Sequence, residues 1–377
     1  MQIEQRQWTS GQGWNRPASL EGPVHLVVIF GGTSVLKEGS CIAELRKAYP
    51  RASVLGCSTA GEICDTRVSD DTLVATAVRF DGTRVSGVQT VLESALESHR
   101  AGQQLAEQLP KDELVHVFLL SDGLNVNGSE LVEGLRSRLP MNVTVTGGLS
   151  GDGARFAETL VVWGEEARRN SIVALGLYGK RLKVGYASLG GWDPFGPERL
   201  VTRSKGNVLY ELDGHSALDL YKRYLGEHAN GLPASGLLFP LSVRSDIDNT
   251  AVVRTILSID EAEKSLTFAG DVPTGSLARL MKANSHRLID GAQGAAKISY
   301  QALGSTAPDL AILISCVGRK LILKQRVEEE VETIREVFGP RTAMTGFYSY
   351  GEISPFTPSA RCELHNQTMT ITTLLES

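Results

Sequence analysis

The sequence predicts a mixed α/β fold. Short apolar runs alternate with helix-like segments along the chain. Three stretches also repeat one order: an apolar run, a helix-like segment, a β-branched run ending in a glycine motif, and a further strand-like run. The opening runs are HLVVIF from His25, VHVFLL from Val115 and LAILIS from Leu310. The motifs are GCSTAGEI from Gly56, GGLSGDG from Gly147 and GFYSYGEI from Gly346. The closing runs are DTLVATAV from Asp71, NSIVALGL from Asn170 and QTMTITTL from Gln367. Similar units pack by similar rules, so the pattern predicts duplicated β-α-β-loop-β units. Their uneven spacing argues against a solenoid.

Residues 1–23 read as an N-terminal arm, with Trp8 and Trp14 tucked against the body. In the first repeat a strand enters GGTS, a helix runs from about Val35 to Ala48, and a strand reaches Gly56. Glu93 to Leu109 reads as a helix stopped by Pro110. Asn127 is a helix cap, with Glu130 in capping-box position. NSIVALGLYG and LKVGYASLGGW read as a strand pair closing an N-terminal domain. The Pro- and Gly-rich segment DPFGPERLVTRSKGN reads as a linker, giving domains at 24–200 and 201–377. Beyond it, Ser216 to Glu227 is helical, AVVRTILSID and KSLTFAGD form a hairpin, and Ser276 to Tyr300 is largely helical. A last helix, from about Lys324 to Phe338, is stopped by Gly339-Pro340.

Composition narrows the function. The chain has 377 residues, 42% of them hydrophobic, and a net charge of −5. Lys and Arg form no basic stripe, which argues against nucleic-acid partners. No apolar run approaches the ~20 residues that span a bilayer, and the polar start lacks a signal-peptide core. The five cysteines form no C-x-x-C pair. They read as reduced thiols of a cytoplasmic protein. No P-loop lysine, dinucleotide fingerprint or Cys/His cluster with zinc spacing is present. Gly148-Leu149-Ser150-Gly151 approaches a nucleophile elbow, but Asp152 stands at the last glycine position and a strand follows.

The glycine motifs carry the candidate site. A glycine ending a buried strand allows a sharp turn or a close approach. A hydroxyl and a carboxylate just beyond it sit at the strand's carboxyl end, where open α/β sheets bind ligands. The candidate ligand-binding residues are Gly56, Thr59, Glu62, Ser150, Asp152, Gly346, Ser349 and Glu352. The competing reading is a set of turns whose side chains satisfy local backbone groups.

GCSTAGEI, GGLSGDG, NSIVALGL, LDGHSALDLYKRYLG, GDVPTGSLARLMKAN, TGFYSYGEISP and ELHNQTMTITTL occur in that order. The ordered set resembles the FIST family over residues 24–377. The resemblance implies an N-terminal and a C-terminal FIST domain acting as a sensory module for small ligands in signal transduction. Stand-alone members similar to this chain include heme-binding nitric-oxide sensors. These act on separate partners such as a histidine kinase, a diguanylate cyclase or a phosphodiesterase. If heme is bound, His365 in ELHNQT is the first candidate for the iron ligand and His286 the second. Cys362 and Cys316 are thiolate alternatives, and Glu363 or Asn366 would orient the ring. The open alternatives are a heme-free sensor of a metabolite such as an amino acid, and an enzyme using Glu62 and Glu352 as acid and base.

Overall fold

The computed structural model describes residues 1–244, 251–356 and 360–377. The three repeats build three sheets of one design, and the fold is mixed α/β as the alternation predicts. In each sheet the opening strand lies parallel to the motif strand. These pairs are Leu26–Gly31 with Ser53–Ser58, Leu114–Ser121 with Thr144–Leu149, and Leu310–Cys316 with Ala343–Ser349. The closing strands Leu73–Arg79, Ser171–Tyr178 and Met369–Glu376 lie antiparallel on the other side of the opening strands. Beyond each closing strand runs a leading strand from earlier in the chain: Gln2–Thr9, Arg84–Val91 and Leu182–Leu189.

The remaining edge is closed by exchange. The strand after the first motif, Glu62–Cys64, pairs with the third motif strand. The strand after the third, Gly351–Pro355, pairs with the second. The strand after the second, Val161–Trp163, pairs with the first. The exchange is cyclic and leaves none of the motif strands as an edge.

Burial on both faces explains why the opening runs read as continuous apolar segments rather than alternating ones. Leu26, Val28 and Phe30 join Phe118, Leu120, Leu310, Ile312 and Ile314 in one core shared by all three repeats. Val27 and Ile29 face the other way, against Val35, Leu36, Ile42 and Leu45 of the first repeat's helices.

A fourth, antiparallel sheet is inserted between the third repeat's leading strand and its helix Ser285–Ala302. It runs from Trp192 to Ala283 and packs its own core around helix Ala217–Leu225.

Several local expectations are corrected. The N-terminal arm is an edge strand, in register with Leu73–Arg79 from Gln2 to Trp8. NSIVALGLYG and LKVGYASLGGW do not pair with each other. The chain crosses between them from the second sheet to the third, where Leu182–Leu189 pairs with the C-terminal strand. The segment read as a linker is a bulged strand, Trp192–Lys205, because both of its edges find partners. Leu277–Ala283 is a strand rather than the start of a helix, and Asn284 caps the helix that follows. The helix expected over Val35–Ala48 is broken at Gly39, whose φ of 73° ends the first segment. The hairpin holds for Ile256–Asp260 with Ser265–Phe268, while Ala251–Arg254 pairs with Leu241–Arg244. Asn127 caps its helix as expected, accepting from the Ser129 and Glu130 N–H groups.

Candidate functional site

The three motif glycines occupy equivalent positions. Gly56 lies opposite Ile29, Gly147 opposite Leu119 and Gly346 opposite Leu313. A Cβ at any of the three would overlap the carbonyl oxygen of that neighbour. The glycines are there because adjacent strands approach too closely for a side chain.

Beyond the glycines the motifs meet. Ala60 N–H donates to the Tyr348 carbonyl (2.8 Å), Gly151 N–H to Ser58 (2.9 Å), and Tyr350 N–H to Leu149 (3.3 Å). The three loops therefore form one cyclic hydrogen-bonded junction.

The carboxylates predicted as ligand contacts are buried in that junction. Thr59 Oγ1 donates to Glu62, whose other oxygen accepts from Thr72 N–H (3.0 Å) and Oγ1 (2.8 Å). Ser349 Oγ donates to Glu352 (2.5 Å), whose other oxygen accepts from Thr368 N–H (3.1 Å) and Oγ1 (3.0 Å). Burial pushes Glu62 up to about 7 and Glu352 up to about 8, against the hydroxyl and amide donors that favour the charged forms.

The second repeat does this differently. Asp152 accepts from the N–H groups of Phe156, Ala157 and Glu158 and from the Tyr350 hydroxyl. Ser150 Oγ donates to the Ser121 carbonyl (2.9 Å). The acid that meets the closing strand there is Asp122, bonded to Thr159 Oγ1 (2.8 Å) and Asn170 N–H (3.1 Å). Sequence reasoning missed Asp122. Its signal was an acid directly after LLS, where the other repeats have Gly32 and Cys316.

The ELHNQT segment has a role its sequence did not announce. It docks the inserted sheet onto the repeats. Leu364 carbonyl accepts from Arg254 Nη1 (2.7 Å), and Asn366 Oδ1 accepts from Thr255 N–H (3.1 Å). Gln367 Nε2 donates to the Leu237 carbonyl (3.0 Å) and Thr255 Oγ1 (3.1 Å). Asn366 Nδ2 reaches back to the Tyr350 carbonyl of the third motif (3.1 Å).

His365 is enclosed. Its Nε2 donates to the Ser354 carbonyl (2.6 Å), its ring packs on Phe356 at 3.9 Å, and Nδ1 has no partner among the described residues. Burial drives its pKa down to about 3, so the ring is neutral. His286 is exposed near the start of helix Ser285–Ala302. No group of three or more His, Cys, Asp or Glu residues able to hold a metal occurs among the described residues.

A cavity of about 1030 Å³ lies beside ELHNQT. Ser129 and Arg136, on helix Gly128–Arg136, form one wall. Val243, Val252 and Arg254 of the inserted sheet form another. Pro355, Cys362 and Leu364 of the hairpin after the third motif form a third. The predicted site residues from Gly56 to Glu352 do not line it, and neither His365 nor His286 is among its lining residues. The sequence thus pointed to the junction that organises the fold, while this space opens one step further out.

The FIST N domain pattern matches residues 25–215 and the FIST C domain pattern matches residues 217–355. The chain belongs to the FIST family. FIST domains are small-ligand sensing domains of signal transduction and are generally non-catalytic. A relative from Methanocaldococcus jannaschii, an uncharacterized protein, is 22% identical over 326 residues. The match takes in 78% of this FIST chain and 60% of the relative, so the chain spans about three fifths of that protein's length. A solved structure of cyanuric acid hydrolase from A. caulinodans aligns over 94% of this chain and 90% of its own. It does so at 7% identity and a TM-score of 0.36, too weak a likeness to carry chemistry across. Among the described residues no helix is long and apolar enough to cross a membrane.

Proposed function

We propose that this FIST protein senses a small polar metabolite held in the cavity between helix Gly128–Arg136, the inserted sheet and the hairpin that leads into ELHNQT. The observation that carries this reading is the origin of the walls. Two of the repeats and the inserted sheet each contribute, and the inserted sheet is tied to the repeats by ELHNQT. A ligand touching all three walls favours one seating of the inserted sheet, which is the differential contact a sensor needs. An amino acid is a ligand of suitable polarity and would fill part of this space. A separate histidine kinase or cyclic-di-GMP enzyme would read the altered surface.

Heme has less support from these residues. The described lining offers no imidazole, and the Nε2 of His365 is engaged by a backbone carbonyl. An acid–base enzyme is also disfavoured, because Glu62 and Glu352 are each consumed by their own hydroxyl and amide donors.

Absorption spectroscopy and native mass spectrometry of the purified protein test the reading. The expected protein is colourless and retains or takes up a small metabolite, and Val252→Trp blocks that uptake. A Soret band with full heme loading that His365→Ala abolishes would overturn it.

A further inference from the structure

The buried arginines of this chain, Arg6, Arg254 and Arg319, have different kinds of partner. Arg319 is fully buried and has its own acid, Glu330, with Nε at 3.1 Å. Arg6 lies over the Trp14 ring. Arg254 is 6% exposed, and among the described residues it has no carboxylate within ion-pair distance. Its hydrogen bonds go to neutral acceptors: the Asp271 carbonyl from Nε (3.0 Å), the Leu364 carbonyl from Nη1 (2.7 Å) and Ser129 Oγ from Nη2 (3.4 Å). A guanidinium has five N–H donors, so these three bonds leave one on each terminal nitrogen. A buried cation held only by dipoles is costly unless a counter-charge arrives. Burial lowers its pKa to about 10, a fall that the more distant charges of Glu363 and Asp271 only partly offset. Asp271 is itself engaged, its Oδ1 accepting from Asn127 Nδ2 (2.6 Å).

Arg254 lines the cavity. We infer that it anchors an oxyanion of the sensed ligand, a carboxylate or a phosphate, through its two remaining N–H groups. The inference rests on the cavity being the ligand site. It also gives the ligand a mechanical role. Arg254 bonds the inserted sheet, helix Gly128–Arg136 and ELHNQT at once. An oxyanion on its free edge would tighten all three together.

The test measures binding to the intact protein by calorimetry and native mass spectrometry. The probes are the L-amino acids, their carboxamides, inorganic phosphate and phosphate monoesters. At least one carboxylate or phosphate probe should bind. If the binder is an amino acid, its carboxamide should bind at least roughly tenfold more weakly. Binding by phosphate probes alone would name phosphate as the oxyanion. Arg254→Gln should lose the affinity and Arg254→Lys should keep part of it. The acid-against-amide comparison uses wild-type protein, so it decides even if Arg254→Gln fails to fold. A ligand blocked by Val252→Trp but indifferent to Arg254→Gln or to amidation would sink the anchor and leave the cavity site standing. Binding that survives Val252→Trp would sink both. No binding by any oxyanion probe overturns the anchor.

Discussion

The first and third motifs reach the same bonding by the same residues, whereas the second reaches it by others. In GCSTAGEI and GFYSYGEI a glutamate accepts from a hydroxyl three residues earlier and from a threonine at the start of a closing strand. In GGLSGDG the acid is one carbon shorter and arrives one step earlier, in a longer loop that runs on to Val161–Trp163. It turns to three local N–H groups instead. Asp122, from another part of the repeat, then serves the closing strand. The backbone junction is threefold even though its side chains are not. Geometry is therefore the shared requirement, and the acids serve it in exchangeable ways.

The sharpest way to break the comparison is at the glycines. Alanine at Gly56, Gly147 or Gly346 should cost more than about 3 kcal/mol in urea unfolding, because each meets a carbonyl oxygen. Gly164→Ala is the control. Its φ is 70° but its surroundings are open, so about 1 kcal/mol is expected. Equal costs at Gly164 and Gly147 would refute close approach as the reason.

Asp152→Asn should come next, at about 2–3 kcal/mol by the same assay. An amide turns its N–H groups toward donors, where the carboxylate accepted four bonds. A neutral effect would mean the second motif's loop does not depend on its acid.

The glutamates separate by pH. Their pKa values in the folded state are raised above the unfolded range near 4.5. Stability is then complete below that range and falls as pH rises through about 7 for Glu62 and about 8 for Glu352. Glu352→Gln should match wild type near pH 5. At about pH 9 it should exceed wild type by on the order of a few kcal/mol. Glu62→Gln should gain less, and its gain should level off at lower pH, near 7 rather than near 8. Denaturation midpoints across this range check both, and a wild-type profile no steeper than that of the variants would rule the shifts out.

The smallest effect tests the equivalence itself. Thr72→Val and Thr368→Val each remove one hydroxyl donor and keep the N–H. Each should cost about 1 kcal/mol, with the two within roughly 0.5 kcal/mol of each other. A clear inequality would show that the first and third motifs are alike in sequence only.

Much of this was legible in the chain. The opening runs, the motif glycines and the Asn127 cap rest on neighbours close in sequence or on a local backbone demand. The chain order also carried the family. The site was less legible. Thr59, Glu62, Ser349 and Glu352 were found as a recurring hydroxyl and acid, yet their partners Thr72 and Thr368 lie across a loop. Arg254 carried no motif at all. Its importance comes from being buried beside Leu364, 110 residues away.

The repeated unit is written in the residues, because strand, helix and glycine preferences act over a few positions and recur three times. The cyclic exchange of strands, the pairing of Leu182–Leu189 with the C-terminal strand and the seating of the inserted sheet on ELHNQT come from packing at long range. Those choices depend on which unsatisfied edge is nearest once the units collapse on a common core. Edge pairing runs through backbone groups that every residue carries, so it leaves little mark in the residues that make it.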